Sequence, residues 1–432
     1  MDNFVLNEGN TAWVLVSAAL VLMMTPALAV FYGGMVRSKS VLNIMMMCFS
    51  AIGVVAIVYA LWGYSMSFGP DTAGGLIGNP FALFGIEGLA DNDPSNVLAS
   101  AGVPIYAWIA LQVTFAIITL ALLSGAVADR TRFSSWLVLV VLWCTFVYFP
   151  LSHMVWGGGL LSGDGPIGRA FSTPMDLAGG TVVEIASGMG GLVLAVVLGK
   201  RRGFGFDPMR PHNLPLVMLG AGLLWFGWFG FNAGSAGAAN GFASLAWIDT
   251  CVSAAAAMLA WLATERVRDG KATSLGAASG VVVGLVAATP SAGFVTPLGA
   301  IAIGAVAGVL GALAVALKFR FGYDDSLDLV AVHFVGGFVG TVLIGVFATG
   351  PNLLEGAQEG LLYGGGTTQL VTQTLLAVGA LVYVVVMTAV IGFTLRATMG
   401  VRVSADDEIG GLDLALHGES AYEGIATGRL GS

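Results

Sequence analysis

Two ionisable side chains lie inside apolar stretches of the sequence. Glu184 lies in the stretch TVVEIASG and His333 in LVAVHFVGG. If these stretches cross a membrane, a charge at the bilayer centre costs about 2.5–3.5 kcal/mol. A carboxyl and an imidazole that share a hydrogen bond can also share a proton, which makes burial tolerable and allows proton exchange with a substrate. The alternative is a purely structural buried pair.

Aromatic residues with polar neighbours form a second candidate group. The indole face of Trp156 can hold a small cation with roughly 0.5–2 kcal/mol. Ser235 could donate or accept one hydrogen bond beside it, and phenylalanines at the next level inward would exclude water and remove a cation's hydration shell. Packing is the alternative for every aromatic residue, and Trp156 would also suit an interfacial belt. The group consists of Gln112, Phe115, Trp156, Trp228, Phe231 and Ser235.

Asp176 stands at the start of a candidate helix and is followed by the small residues of 178–181. Its side chain can accept hydrogen bonds from the unpaired amides of a first helical turn. We therefore interpret Asp176 as a helix cap, with a direct ion ligand as the alternative. His153 lies near a predicted membrane interface and His417 in a polar segment, and we interpret both as satisfied hydrogen-bonding residues rather than ligands.

The composition requires lipid around the elements that hold these residues. Hydrophobic residues make up 57% of the 432 residues and charged residues 10%, and the mean hydropathy is +0.88. Such a chain has too little polar surface for a soluble globule. Apolar runs of about 20 residues match helices that cross roughly 30 Å of hydrocarbon, whereas outer-membrane barrels show short alternating segments. The predicted fold is all-α with eleven transmembrane helices, at 11–35, 42–68, 104–127, 134–155, 177–198, 214–238, 246–264, 273–290, 297–317, 329–349 and 369–395.

The distribution of basic residues predicts the orientation. Of 17 lysines and arginines, all except Arg169 fall in connecting segments on one side of the predicted helices. Because basic residues mark the cytoplasmic side, the amino terminus is predicted outside and the tail from Arg396 inside. An odd number of helices requires this arrangement. A re-entrant pair at 290–297 is the alternative to two complete spans there.

The spacing of ionisable residues indicates an internal repeat. Asp176 precedes Glu184 by eight residues, as Asp325 precedes His333. Inverted repeats are common among transporters and place corresponding residues near one another at the bilayer midplane. Coincidence between two glycine-rich helices is the alternative, since a glycine pair follows each second residue, at 190–191 and 336–337.

This repeat divides the chain into two halves, which are followed by an extra helix and a carboxy-terminal tail. The halves cover about 11–198 and 214–349, and an extra helix covers 369–395. Each half contains five helices, so the second must insert upside down relative to the first. These parts make up a transmembrane domain, 1–395, which is followed by a cytoplasmic carboxy-terminal tail, 396–432.

Several classes of function lack their usual signals. The net charge of −8 comes without a basic patch, so nucleic-acid binding is not expected. Cys48, Cys144 and Cys251 lie in apolar runs and predict no disulfide framework. Residues 1–10 lack the positive region of a cleaved signal peptide. No nucleotide loop, metal cluster or nucleophile arrangement is present in the sequence, so neither an enzyme nor a cofactor or metal is expected.

Several longer stretches resemble the ammonium transporter (Amt/Mep/Rh) family, in its bacterial Amt form. They match in order and spacing over nearly the whole chain, and GLDLALHGESAY is similar to the family's cytoplasmic carboxy-terminal motif. The resemblance implies a homotrimer of eleven-helix subunits in the cell membrane, each with its own pore. The other matching stretches are LALLSGAVADRTRFSSW, FPLSHMVWGGG, DLAGGTVVEI, RPHNLP, GWFGFNAGSAG and LDLVAVHFVGG.

The resemblance also implies roles for the residues named above. It implies an outer ammonium site at Trp156 with Ser235 and Phe115, beside Gln112, and a phenylalanine gate of Phe115 and Phe231. Trp228 would line the pore further in. The family's aspartate corresponds to Asp176, and its pair of pore histidines corresponds to positions 184 and 333.

Two residues depart from the bacterial pattern. Position 184 holds Glu184, as in some fungal members, so a mechanism based on two histidines does not transfer unchanged. Position 111 holds Leu111, where an outer-site phenylalanine is common, and this predicts weaker cation recruitment.

The expected function is recruitment of ammonium, deprotonation near the gate, and passage of ammonia, with or without its proton, through an apolar pore. One alternative is an ammonium sensor that signals through its tail, for which a long appended regulatory domain is the expected feature. A second is a channel for a neutral solute such as urea or water, which would need neither Trp156 nor the Glu184 and His333 pair. A PII-type signal protein on the cytoplasmic face is a further partner that the resemblance implies.

Overall fold

A computed structural model describes residues 5–89 and 101–422, and these residues form a bundle of helices without a β-strand. Eleven of the helices are long and apolar enough to cross a membrane, which confirms the predicted number. We label them in chain order α1 Glu8–Met35, α2 Val41–Phe68, α3 Ile105–Val127, α4 Phe133–Trp156, α5 Gly180–Leu198, α6 Leu214–Gly234, α7 Gly241–Asp269, α8 Ser274–Ser291, α9 Pro297–Phe321, α10 Val330–Phe347 and α11 Thr368–Thr398.

Several predicted helix boundaries differ from the structure by three to five residues, among them those of α5, α6 and α7. α5 begins at Gly180 rather than at 177, because Gly179 takes a left-handed conformation with φ of 108° and interrupts the chain there. α6 ends at Gly234, four residues earlier than predicted. α7 is longer than 246–264, since hydropathy marks membrane depth rather than helix ends: the Asn240 side chain caps it by accepting from Ala243 N at 3.0 Å.

The packing of the helices supports the division into two halves. In the first half α1 packs on α2 and α3, α2 on α3 and α4, and α3 on α5. The second half repeats these relations, with α6 on α7 and α8, α7 on α8 and α9, and α8 on α10. α8 and α9 are separate helices of spanning length, so a re-entrant pair is not present.

α5 and α10 meet at a close crossing that two glycines permit. A side chain at Gly188 would overlap the backbone of Phe334, and one at Gly337 would overlap the Cβ of Glu184. Both helices begin with a π-helical turn, at Gly180–Ile185 and Val330–Phe334. Such turns are rare and often accompany functional sites. The crossing therefore brings the two ionisable residues of the repeat to one depth.

α11 lies outside the repeat and packs on α5 and α10. Its Gln373 side chain forms both hydrogen bonds of an amide pair with Met175, accepting from Met175 N at 2.8 Å and donating to Met175 O at 2.7 Å. The same amide donates to Thr341 O on α10 at 3.2 Å. Gln373 thereby fixes the segment that leads into α5.

The tail is described as far as Tyr422, and it packs against one end of the bundle. A short helix, α12 Ala405–Gly410, places Glu408 against Arg402 at 2.7 Å. Asp413 accepts a hydrogen bond from Asn43 N, in the first turn of α2, at 2.8 Å. α2 has no side-chain cap of its own, so the tail supplies one.

Candidate functional site

Four aromatic rings form a continuous series through the bundle. Phe115 on α3 and Phe231 on α6 are stacked, with ring centroids 4.3 Å apart and planes inclined by 23°. The ring of Trp156 lies 6.3 Å from Phe115 in an edge arrangement, and Trp228 lies 5.6 Å from Phe231. Both phenylalanines are 1% exposed, so their rings close the space between the two tryptophans.

The Trp156 end of this series carries the polar groups that the sequence singled out. Trp156 is half-buried and donates its indole N–H to Asp176 O at 3.0 Å. The hydroxyl of Ser235, also half-buried, donates to Phe231 O at 2.8 Å, which leaves its oxygen lone pairs to accept from a donor such as an N–H group. Gln112 is buried on α3, one turn before Phe115.

Asp176 holds the start of α5 through several hydrogen bonds. Its carboxylate accepts from the amides of Gly179, Gly180 and Thr181 at 2.9, 2.6 and 2.8 Å, and from the Thr181 hydroxyl. These are the contacts of a helix cap, although Asp176 lies four residues before the helix rather than at its first position. Both carboxylate oxygens of Asp176 are thus occupied by hydrogen bonds within the protein.

Asp325 occupies the corresponding place before α10. One carboxylate oxygen accepts from Val330 N at 2.7 Å. Burial, followed by the neighbouring Asp328 carboxylate, raises the pKa of Asp325 to about 6. The two aspartates thus cap equivalent helices of the two halves.

Glu184 and His333 form a buried pair at the crossing of α5 and α10. Glu184 Oε2 lies 2.7 Å from His333 Nδ1, and the residues are 1% and 4% exposed. The second carboxyl oxygen, Oε1, has no hydrogen-bond partner among the described residues. A proton in this bond can sit on oxygen or on nitrogen, which interconverts a neutral pair and an ion pair without changing the net charge.

A narrow cavity joins the aromatic series to this pair. The space in which the centre of a water-sized molecule fits is only about 10 Å³. Glu184 and His333 supply its ionisable groups, and nearly all the other side chains around it are apolar. The cavity is lined by Met24, Leu28, Phe31, Ile118, Leu122, Val183, Glu184, Leu224, Trp228, Phe231, Val282 and His333.

Several lining residues were missed by the sequence reasoning. Met24, Leu28 and Phe31 come from α1, and Val282 comes from α8. Apolar side chains in helices that are apolar on every side carry no signal of which face meets a cavity.

The other histidines, His153, His212 and His417, do not line the cavity. His153 is buried and its Nδ1 lies 3.2 Å from Ser67 O, with Asp71 at 3.4 Å from Nε2. His417 lies 3.1 Å from the Asn43 side-chain oxygen. Within the described ranges no group of three or more His, Cys, Asp or Glu residues could hold a metal ion.

Known proteins share the sequence and the fold of this chain. The model of the family described as Ammonium Transporter Family matches residues 12–422. A Mycobacterium bovis protein named ammonium transporter is 53% identical over 452 residues, covering 100% of this chain and 94% of that protein. The crystal structure of Saccharomyces cerevisiae Mep2 superposes with a TM-score of 0.83 at 34% identity, covering 93% of this chain and 88% of that one. A structure described as a sensor Amt protein gives a TM-score of 0.84 at 27% identity, covering 94% of this chain and 98% of that one. The chain therefore belongs to the ammonium transporter family.

Proposed function

We propose that this multi-pass cell-membrane protein recruits ammonium at Trp156, deprotonates it near Phe115 and Phe231, and passes ammonia through the cavity to Glu184 and His333. Membership of the family makes it a transport protein rather than an enzyme. The observation that carries the mechanism is the unbroken series from the Trp156 ring to the buried Glu184 and His333 pair.

Recruitment rests on the face of the Trp156 indole. Its N–H is occupied by Asp176 O, which fixes the ring while leaving its π face for a cation. Ser235 adds an acceptor, because its own proton is directed to Phe231 O. An ammonium ion has four N–H donors and suits a site made of a π face and hydroxyl lone pairs.

Deprotonation follows from the change in surroundings at the gate. The stacked rings of Phe115 and Phe231 offer no hydrogen bond to replace a cation's water shell, so a charge is strongly disfavoured there. A neutral ammonia molecule pays a much smaller desolvation cost. The nitrogen therefore gives up one proton to water on the outer side and continues as ammonia past Trp228, and the proton that carries the current crosses separately through Glu184 and His333.

The pair at the end of the cavity provides a route for a proton. A proton received at one end of the Glu184–His333 hydrogen bond can be matched by one released at the other. Two histidines cannot form the neutral ion pair that a glutamate and a histidine can. The unpartnered Oε1 of Glu184 offers ammonia an acceptor beside the pair.

Proteoliposomes that contain the purified protein test this function directly. We expect ammonium-evoked currents and methylammonium uptake, with no increase in urea flux above protein-free liposomes. Urea flux without methylammonium uptake would instead identify a channel for neutral solutes. One similar structure is described as a sensor Amt protein. If this chain is also a sensor, we expect it to bind ammonium without producing flux.

The proposal includes two partners that the family resemblance implies. A homotrimer is expected, and size-exclusion chromatography with light scattering measures it. A PII-type protein on the face that carries the tail is the second, and a pull-down with purified PII-type protein tests it.

A further inference from the structure

Thr289, near the end of α8, contacts the aromatic series at the Trp228 ring. Its side chain is fully buried, and its hydroxyl donates to Leu285 O at 2.9 Å. The hydroxyl proton is therefore used in the helix, and a lone pair of the oxygen remains to accept from a group on a neighbouring helix. The Trp228 indole N–H donates to that oxygen at 2.9 Å.

The backbone of the same residue holds the outer end of the site. Thr289 O accepts from Ala178 N at 3.1 Å, and Pro290 O accepts from Leu177 N at 3.2 Å. The last carbonyls of a helix have no partner within it, so the segment after Asp176 completes the end of α8. Asp176 O, one residue before that segment, receives the Trp156 N–H.

We infer that Thr289 is a positioning residue that sets the Trp228 ring against Phe231 and aligns it with the segment that carries Asp176. An indole with a free N–H could rotate about its side-chain torsions, whereas the hydroxyl fixes the edge of the ring and so the width of the cavity. Thr289 does not touch the substrate. It affects the selection of ammonium over larger amines through the position of the Trp228 ring. The inference rests on the proposed role of Trp228 in the pore.

The test uses Thr289→Val, which keeps the shape of the side chain and removes the acceptor. We expect the preference for ammonium over methylammonium to fall about tenfold, the equivalent of one hydrogen bond to a buried donor. Thr289→Ser restores the hydroxyl and should restore the preference. Thr289→Ala, which also lacks the acceptor, replaces Thr289→Val if the valine variant does not elute as folded protein.

A second tryptophan and threonine pair provides the matched control. Trp143 on α4 donates to Thr388 on α11 at 2.9 Å, and both residues are fully buried away from the cavity. Thr388→Val removes the same kind of bond and should lower stability without changing the preference. A change in preference as large as that of Thr289→Val would show a general effect of destabilisation and overturn the inference.

A double-mutant cycle identifies the route of the effect. Trp228→Phe removes the indole N–H, so adding Thr289→Val to it should have no further effect on the preference. If Trp228→Phe alone leaves the preference unchanged, the proposed role of Trp228 in the pore fails. If Trp228→Phe changes it while Thr289→Val does not, or if the two effects add, the proposed function stands and the positioning role of Thr289 is wrong.

Discussion

At the scale of single residues, the face of the Trp156 ring is the feature that distinguishes recruitment from packing. Trp156→Leu keeps apolar bulk but removes the π face, so we expect a loss of apparent affinity for ammonium of roughly tenfold. Uptake against ammonium concentration measures this. Trp62→Leu is the control, because Trp62 also donates its N–H, to Thr145 at 3.1 Å, but lies outside the aromatic series. An unchanged concentration dependence in Trp156→Leu would show that Trp156 does not form an ammonium site.

Glu184 permits a second test at this scale. Glu184→Gln can still hydrogen-bond to His333 but carries no exchangeable acid proton, so we expect a folded protein that loses most of its ammonium-evoked current. Glu184→His should conduct with a shifted pH optimum, because the pH profile reports the coupled pair rather than one residue. Currents from proteoliposomes at several pH values measure both variants.

Another buried carboxylate serves as the control for this test. Asp249 on α7 is fully buried and accepts from Gly293 N at 2.8 Å, away from the cavity. Asp249→Asn should leave the pH profile unchanged. Wild-type currents and pH dependence in Glu184→Gln would mean that the carboxylate is a structural partner of His333 and that the relay is wrong.

At the scale of elements, the start of α5 depends on Asp176. Asp176→Ala leaves three amides and a hydroxyl without their acceptor, and loss of a helix cap costs about 0.5–2 kcal/mol. Because the cap sits beside Trp156, we expect transport to fall more than stability. Asn240→Ala removes the side-chain cap of α7, a helix that contributes no ring to the aromatic series, and it should lower the thermal unfolding temperature while leaving transport intact. Full transport by a folded Asp176→Ala protein would contradict this.

The elements also show what a sequence can and cannot predict here. Eleven apolar runs were sufficient for eleven helices, because the thickness of hydrocarbon fixes their length. The equal spacing of Asp176 to Glu184 and Asp325 to His333 was sufficient to pair the last two residues. The predicted start of α5 was wrong. Gly179 takes its left-handed conformation because the segment packs around the Asp176 cap, and hydropathy does not report this. Thr289 could not be found, because a threonine in a helix does not reveal its neighbour.

At the scale of the whole molecule, many polar contacts connect the tail to the bundle, among them the hydrogen bond from Asn43 N to Asp413. Asp413→Ala removes the cap that the tail provides for α2, so we expect a loss of about 1 kcal/mol in stability and an altered transport rate with an intact pore. Glu419→Ala, which changes an exposed carboxylate of the same segment, is the control. Thermal unfolding and uptake are measured together.

Deletion of 405–432 extends this test to the complete tail. We expect the shortened chain to remain a folded trimer whose transport rate differs from that of the full chain, because the cavity contains no residue of the tail. Size-exclusion chromatography is done first and uptake second. Complete failure to assemble would show that the tail is needed to build the protein rather than to adjust its rate.

The hydrogen bonds between Gln373 and Met175 set an order for biosynthesis. α11 emerges from the ribosome after the ten helices of the repeat, yet it supplies both partners of the Met175 backbone, next to Asp176. Until α11 inserts, the Met175 backbone lacks both of these partners although α8 already holds Leu177 and Ala178, so the segment beside Trp156 is only partly fixed. An incompletely translated chain thus holds both halves of the repeat without a completed entrance.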